Sequence, residues 1–128
     1  QYAQSSGGFY MKLSKVVELL EAESVFEKYE DLEIETACGA DLMSDVLAFS
    51  HSKTMLLTGL TNPQVVRTAE MTDIEVICFV RGKKPVLDTV QLAKEKGIKL
   101  FYSKKPLFES CGLLYNSGIR PEKLHEIE

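Results

Sequence analysis

Buried strands and amphipathic helices alternate along this chain, and one strand, helix, strand unit has readable ends. Apolar runs at residues 55–57 and 76–80, the second within a predicted strand at residues 74–80, predict two strands that are buried on both faces. Between them, Asn62 is a preferred helix N-cap and Pro63 suits the first helical position. Two buried strands joined through a helix indicate a right-handed parallel crossover.

The chain before this unit follows the same alternation. Ser14, as an N-cap, predicts a first helix that ends near Glu23, and a short strand is predicted within residues 24–28. Residues 32–37 alternate apolar and polar side chains, which is typical of a strand with one wet face near a sheet edge. A second helix is predicted at residues 41–49, with Asp41 as its cap.

The chain after the unit adds two helices and a strand. Pro85 opens a helix that ends at Gly97, and its predicted inward residues are Val86, Leu87, Val90 and Ala93. Residues 98–102 predict the next strand. A last helix runs from Pro106 to Gly118, and its predicted apolar face consists of Leu107, Phe108, Cys111, Leu114 and Tyr115. This order predicts a three-layer α/β/α domain with a mostly parallel sheet.

Length and composition fit one domain. The chain has 128 residues, of which 45% are hydrophobic, enough for a single core. Residues 1–10 precede a Met and contain a Ser-Ser-Gly-Gly run, so they are interpreted as a vector-derived leader outside the fold. The domain is predicted to cover residues 11–120. The chain from Ile119 onward has no periodicity, and residues 121–128 are predicted to form a loosely ordered tail.

Charge and cysteine content narrow the class of partner. The formal net charge of -4 argues against nucleic acid or an anionic membrane. Cys38, Cys78 and Cys111 stand among apolar neighbours without metal-ligand spacing, which favours core residues of a cytoplasmic protein. No apolar run approaches the roughly 20 residues of a membrane span, and no signal peptide is visible.

Charge is unevenly distributed along the chain. Residues 11–75 carry 5 Lys and Arg against 13 Asp and Glu, whereas residues 76–128 carry 10 against 6. This asymmetry allows an anion site in the second half of the chain or complementary packing between copies. Two differently solvated faces are the simpler explanation of this asymmetry, since charge runs usually serve solubility.

The loops after the predicted strands supply the candidate site, because ligands of parallel α/β sheets bind beyond the carboxyl ends of the strands. Residues 58–62 bring small and hydroxyl side chains to a helix N-terminus, which attracts anions, and Arg81 adds a positive charge suited to phosphate or carboxylate. The loop at 103–105 follows the fourth strand. The same loops are also explained by turns and helix caps. The candidate ligand-binding residues are Asp41, Ser44, Asp45, Thr58, Gly59, Thr61, Asn62, Arg81 and Lys83.

No catalytic signature accompanies these loops. Asp41 and Asp45, one helical turn apart, suit a magnesium site or an acid/base pair, but helix capping and the helix dipole account for both as well. The phosphate-binding, dinucleotide, serine-hydrolase and zinc-protease motifs are absent from the sequence. No catalytic residue, metal ligand or cofactor is therefore predicted.

Four segments in order resemble the DRTGG domain family, namely residues 41–47, 56–62, 79–85 and 108–115. The resemblance implies an α/β domain similar to the N-terminal domain of HPr kinase/phosphorylase, with regulatory associations and a tendency to dimerise, but without an established activity. The string that names the family is absent: Thr58-Gly59 stands in the comparable loop without Asp-Arg before it.

Together these features lead us to expect a non-catalytic regulatory domain that acts as a homodimer or with a partner protein. We expect it to sense a small phosphorylated or carboxylated ligand at the loop edge. Two alternatives stay open. One is a small phosphoryl- or acyl-transfer enzyme that uses Asp41, Asp45 and Arg81. The other is a protein–protein interaction module whose acidic first half docks on a basic surface.

Overall fold

The computed structural model describes residues 2–5, 8–50, 53–121 and 123–124, and side chains within 9–48 and 53–121. The helices are α1 (Leu13–Leu20), α2 (Met43–Leu47), α3 (Pro63–Met71), α4 (Leu87–Lys96) and α5 (Leu107–Ser117). The strands are β1 (Tyr2–Ser5), β2 (Gly8–Lys12), β3 (Glu23–Ser24), β4 (Glu33–Ile34), β5 (Thr36–Gly39), β6 (Phe49–Ser50), β7 (Thr54–Thr58), β8 (Val76–Phe79), β9 (Lys99–Tyr102), β10 (Arg120–Pro121) and β11 (Lys123–Leu124).

A six-stranded sheet forms the middle of the domain. Its strand order is β10, β5, β7, β8, β9, β3, and every neighbouring pair is parallel except β9 with β3. Helices α2, α3 and α4 cover one face, whereas α1 and α5 cover the other. The predicted three-layer α/β/α architecture is confirmed.

Two cores lie on the two faces of this sheet. Successive side chains of a strand point to opposite faces, so Leu56 packs under α2–α4 and Leu57 packs under α1 and α5. Ile77 and Cys78 divide in the same way on β8. All five residues of β7 are buried, which explains the uninterrupted apolar runs that mark these strands in the sequence.

The alternating segment at residues 32–37 is divided between two sheets. Its first part, β4, pairs with β2 in a small sheet of order β1, β2, β4, and its second part, β5, pairs with β7. Between them the N–H of Glu35 donates to the carbonyl of Lys53. The prediction of one strand was therefore wrong, because the period of two continues across a change of partner.

Two residues that were predicted to cap helices form hydrogen bonds with residues distant in sequence instead. Ser14 lies inside α1, and its N–H and hydroxyl donate to the two carboxylate oxygens of Asp31 at 2.7 and 2.9 Å. Asp41 lies outside α2, whose N-cap is Leu42 without a side-chain bond. Both predicted caps were wrong. The predicted ends at Asn62, Gly97 and Gly118 are confirmed by the structure.

Two helix faces differ from the predicted ones. Leu87 is 73% exposed and Phe108 is 91% exposed, and Val86 and Tyr115 are exposed as well. These four residues were predicted to face inward. The core sides of α4 and α5 carry Thr89, Ala93, Ser110 and Leu114, so the predicted inward positions of Ala93 and Leu114 are confirmed. The buried strip of each helix is narrower than the predicted face, and Leu87 and Phe108 lie outside it.

Both chain ends contribute to the sheets. β1 and β2 form a hairpin on β4, and Phe9 packs against the α1/α5 core. Residues 2–5 and 8–10, which were set aside as part of a leader, therefore take part in this fold, while the vector origin of residues 1–10 stays a prediction. Ile119 is buried in the same core, β10 pairs with β5, and β11 pairs with β6. Residues 122 and 125–128 of the predicted tail lie outside the described residues.

Among the residues that the structure describes, no helix is long and apolar enough to cross a bilayer.

The three cysteines form no disulfide, and their reactivity is expected to follow burial. Burial raises the pKa of the Cys78 thiol from 9.0 to about 12, whereas Cys111 is only half-buried. Because the thiolate is the nucleophile, iodoacetamide at pH 8 should label Cys111 first and Cys78 last in the native protein. Peptide mass spectrometry reads this order, with the guanidinium-unfolded chain as the control in which all three sites react alike.

The same pKa shift sets a pH dependence of stability. The folded pKa of Cys78 lies above the unfolded value, so its contribution is complete below pH 9 and is lost as the pH rises from 9 toward 12. Labelling of native Cys78 at the rate of Cys111 would contradict both expectations.

Candidate functional site

The loops that follow β5, β7, β8 and β9 lie side by side on one edge of the sheet, which we call the C-terminal rim. It comprises residues 40–45, 58–62, 80–84 and 103–105. Neighbouring strands lie about 4.8 Å apart, so these loops are in reach of one another. All nine sequence-predicted ligand-binding residues lie on this rim, and ligand binding by them stays a prediction.

An internal carboxylate occupies the β5 and β7 side of the rim. Asp41 Oδ1 accepts hydrogen bonds from the Gly59 N–H at 2.7 Å and from Thr58 Oγ1 at 3.0 Å. The Thr58 hydroxyl in turn accepts from the Leu60 N–H at 3.1 Å. The Gly59 amide, which the sequence suggested for an anionic ligand, is thus already bound to an anion of the chain itself.

The remaining residues of the β7–α3 loop hold the loop in place. Asn62 accepts from the Gln64 N–H at 2.9 Å and so caps α3. The Thr61 carbonyl accepts from the Val86 N–H at 3.3 Å and from the Thr89 hydroxyl at 2.7 Å. In this structure Asn62 caps a helix and Thr61 holds the loop against α4. These contacts match the explanation by turns and helix caps that the sequence left open.

A tight turn after β8 projects the basic side of the rim. Arg81 and Gly82 both have positive φ, 62° and 69°, and the Lys83 N–H donates to the Val80 carbonyl at 3.2 Å. Positive φ is uncommon for a residue other than Gly, and here it is held by cross-loop bonds. The Arg81 and Gly82 amides donate to the carbonyls of Lys105 and Ser103 at 3.0 and 2.8 Å.

The loop of residues 103–105, which accepts these hydrogen bonds, is held in place by Ser103. Ser103 is buried, and its hydroxyl donates to the Leu20 carbonyl at 2.7 Å and accepts from the Lys105 N–H at 3.2 Å. Next to it, the Tyr102 hydroxyl donates to Glu23 at 2.9 Å, and this hydrogen bond raises the pKa of Tyr102. The turn at Arg81 therefore rests on a fixed base.

Three exposed cations lie on this base, and we call Arg81, Lys83 and Lys104 the basic cluster. A Cβ on Gly82 would lie 3.9 Å from Lys104 Cγ, so the Lys104 side chain passes beside the turn. Within the described part of the chain, none of the three has a carboxylate at ion-pair distance. Lys105, by contrast, pairs with Glu21 and Glu109 at 3.8 and 3.6 Å.

The sequence grouped these cations only in part. Arg81 and Lys83 were predicted site residues, whereas Lys104 appeared only as a member of the loop after the fourth strand. Lys104 lies beside Gly82 because the two loops are hydrogen-bonded to each other. The spacing of residues along the sequence does not indicate this pairing.

The predicted carboxylate pair is not formed on one helix. Asp45 lies in the first turn of α2, but Asp41 lies before the helix and bonds to the β7–α3 loop. Ser44 is exposed on α2. Among the described residues, no group of three or more His, Cys, Asp or Glu side chains is arranged to hold a metal ion.

The three side chains of the basic cluster are exposed to solvent. Two grooves, of about 480 and 260 Å³, are lined by residues other than those of the cluster, the larger one along α5 and the smaller one near Tyr29 and Lys99. A ligand at the cluster would meet three exposed charged side chains.

Comparison with known proteins finds a solved structure with a similar fold, but no family model and no curated protein that matches the sequence. No protein-family model matches the chain, and no curated protein matches it. The chain is similar to a solved structure of the CBS and DRTGG domains of the regulatory region of Clostridium perfringens pyrophosphatase, complexed with its activator, diadenosine tetraphosphate. The TM-score is 0.62 at 14% identity, and the match covers 82% of this chain and 46% of that chain.

At this low identity, the likeness shows the fold alone. The match spans less than half of the pyrophosphatase fragment. It supports a DRTGG-like fold. The matching structure is a regulatory region and not a catalytic domain.

Proposed function

We propose that this domain is a non-catalytic cytoplasmic regulatory module that binds a small phosphorylated ligand at the basic cluster and works as a homodimer. The observation that carries this proposal is that Arg81, Lys83 and Lys104 lie on two hydrogen-bonded loops and have no carboxylate at ion-pair distance in the described chain. The regulatory character of the pyrophosphatase fragment with the same fold supports it.

The chemistry of the cluster suits phosphate. The Arg81 guanidinium offers a planar fork for two phosphate oxygens, and the two ammonium groups add point charges around it. The turn fixes the Arg81 backbone, so less conformational freedom is lost on binding. Because all three side chains are exposed, the attraction is screened, and affinity should fall as salt is added.

The opposite side of the rim suits a hydroxyl-bearing part of the same ligand. Asp41 Oδ1 is occupied by the β7–α3 loop, while Oδ2 has no partner among the described residues. Asp41 lies over β7 and the cluster over β8 and β9, one or two strand spacings away, or roughly 5–10 Å. Phosphorylated sugars and nucleotides span this distance, and the nucleotide bound in the pyrophosphatase fragment supports including them.

Thermal unfolding is the direct test of ligand binding. We expect one of AMP, ATP, diadenosine tetraphosphate, acetyl phosphate or acetyl-CoA, with or without Mg²⁺, to raise the unfolding temperature by several degrees. A ligand at about 100 times its dissociation constant adds roughly 2.7 kcal/mol to the free energy of unfolding. Arg81→Ala should weaken this binding at least about tenfold, since a hydrogen bond to a charged group contributes about 1.5–3 kcal/mol.

The matched control is Arg67→Ala, which removes an exposed arginine of α3 outside the rim and should leave the shift unchanged. No shift with any compound, or an equal shift in both variants, would overturn the assignment of the cluster. Turnover of a phosphorylated compound that is lost in Asp45→Asn would favour the enzyme alternative instead.

A further inference from the structure

Exposed apolar side chains follow the basic cluster directly along the chain. Val86 is 48% exposed and Leu87 is 73% exposed, and they are the N-cap and the first residue of α4. We call these two residues the apolar pair. Val86 comes three residues after Lys83, so the Cα atoms of these residues lie no more than roughly 11 Å apart. One small molecule can therefore contact both the cluster and the pair.

The start of α4 is fixed against the C-terminal rim. The Val86 N–H donates to the Thr61 carbonyl at 3.3 Å, and the Thr89 hydroxyl donates to the same carbonyl at 2.7 Å. The Cα–Cβ bonds of an α-helix tilt toward its N-terminus. Since Leu87 is the first helical residue, its side chain leans toward the rim and not toward the far end of the domain.

Helix stability does not account for apolar residues at these two positions. Val86 is an N-cap without a side-chain hydrogen bond, whereas the N-cap of α3, Asn62, accepts one. Apolar residues are poor N-caps, and Ser, Thr, Asp or Asn at position 86 would satisfy a free N–H of the first turn. Leu87 is too exposed to add much to the core. Contact with an apolar group of a ligand gives a reason that the fold does not.

The cations next to the pair stay available to the same ligand. Lys84 lies over the Tyr102 ring, 5.1 Å from its centroid, and is thus directed toward β9. Arg81 and Lys83 have no carboxylate at ion-pair distance within the described chain. A phosphate group at the cluster would therefore have charged side chains around it and the apolar pair beside it.

From this arrangement we infer that the ligand of the basic cluster is a phosphate ester with an apolar ring or chain, and that this group packs on Val86 and Leu87. The inference rests on the proposed function, because it takes phosphate binding at the cluster as given. It narrows the class of ligand to esters with a large apolar group, which inorganic phosphate and acetyl phosphate lack. Contact with the pair removes apolar surface from water and adds affinity that does not depend on charge.

Amide NMR titrations with phenyl phosphate and methyl phosphate test this inference, because the two esters carry the same charge and differ in the apolar group. Phenyl phosphate should bind at least about tenfold more tightly than methyl phosphate. A tenfold difference corresponds to about 1.4 kcal/mol, which the removal of roughly 60 Å² of apolar surface from water supplies. The amide signals of Val86 and Leu87 should shift more with phenyl phosphate than with methyl phosphate.

Serine variants test the apolar pair itself. Leu87→Ser should reduce the preference for phenyl phosphate to less than about threefold. The matched control Met71→Ser, at a 70% exposed apolar residue that ends α3 outside the rim, should keep the full preference. Val86→Ser should also reduce the preference, and its unfolding temperature should not fall, because serine is a preferred N-cap. A loss of preference without a loss of stability separates ligand contact from a structural role.

The outcomes for this inference and for the proposed function are distinguishable. Equal affinity for the two esters in the wild-type domain, or an unchanged preference in Leu87→Ser, would overturn the inference. If both esters still bind and Arg81→Ala weakens them equally, phosphate binding at the basic cluster stands without the apolar contact. If neither ester binds, the proposed function fails and the inference fails with it.

Discussion

Leu100→Ala is expected to lower the free energy of unfolding by about 2–5 kcal/mol, whereas Leu87→Ala should change it by less than about 0.5 kcal/mol. Leu100 is fully buried on β9 within the α2–α4 core, and Leu87 is 73% exposed at the start of α4. The same atoms are removed in both variants, so the difference reports burial and the cavity left behind.

Urea unfolding of the two variants and the parent chain measures this effect. The expected loss in Leu100→Ala is a large part of the about 5–15 kcal/mol that stabilises an ordinary domain. Equal losses in the two variants would show that Leu87 faces the core, as its sequence pattern predicted, and that the helix phase described for α4 is wrong.

Gly118→Ala should lower the free energy of unfolding by about 2–5 kcal/mol, from two separate causes. Gly118 has φ of 115°, where a side chain adds strain of about 1–2 kcal/mol. A Cβ there would also lie 2.8 Å from two ring atoms of Phe9, and such overpacking costs about 1–3 kcal/mol more. Thermal or urea unfolding measures the sum.

Gly97→Ala separates these causes. Gly97 also has positive φ, 73°, but a Cβ there would meet nothing within 4 Å, so only the strain of about 1–2 kcal/mol is expected. In a Phe9→Ala background, Gly118→Ala should cost no more than Gly97→Ala. If Phe9→Ala leaves the cost of Gly118→Ala unchanged, residue 9 does not pack as described.

The rim and α5 are physically connected through the loop of residues 103–105. The turn at Arg81 and Gly82 donates to the loop of residues 103–105, and α5 begins at Leu107. A ligand that fixes the basic cluster therefore restrains the chain just before α5.

Local chemistry determined much of the architecture directly from sequence. Buried strands such as residues 55–57 need apolar side chains on both faces, and helix ends such as Asn62 and Gly97 need an acceptor or a left-handed backbone. These requirements act within a few residues, so they are visible in the chain itself. They placed the nine candidate residues on one edge of the sheet.

Tertiary structure decided which partner each group found. Asp41 was a plausible cap for its own helix but bonds to Gly59, 18 residues away, and Ser14 finds Asp31 across a loop. Lys104 joined the basic cluster, and Phe108 turned outward, through contacts between segments distant in sequence. A short-range pattern fixes the period of a helix or strand, but its rotation and its polar partners depend on how the layers pack.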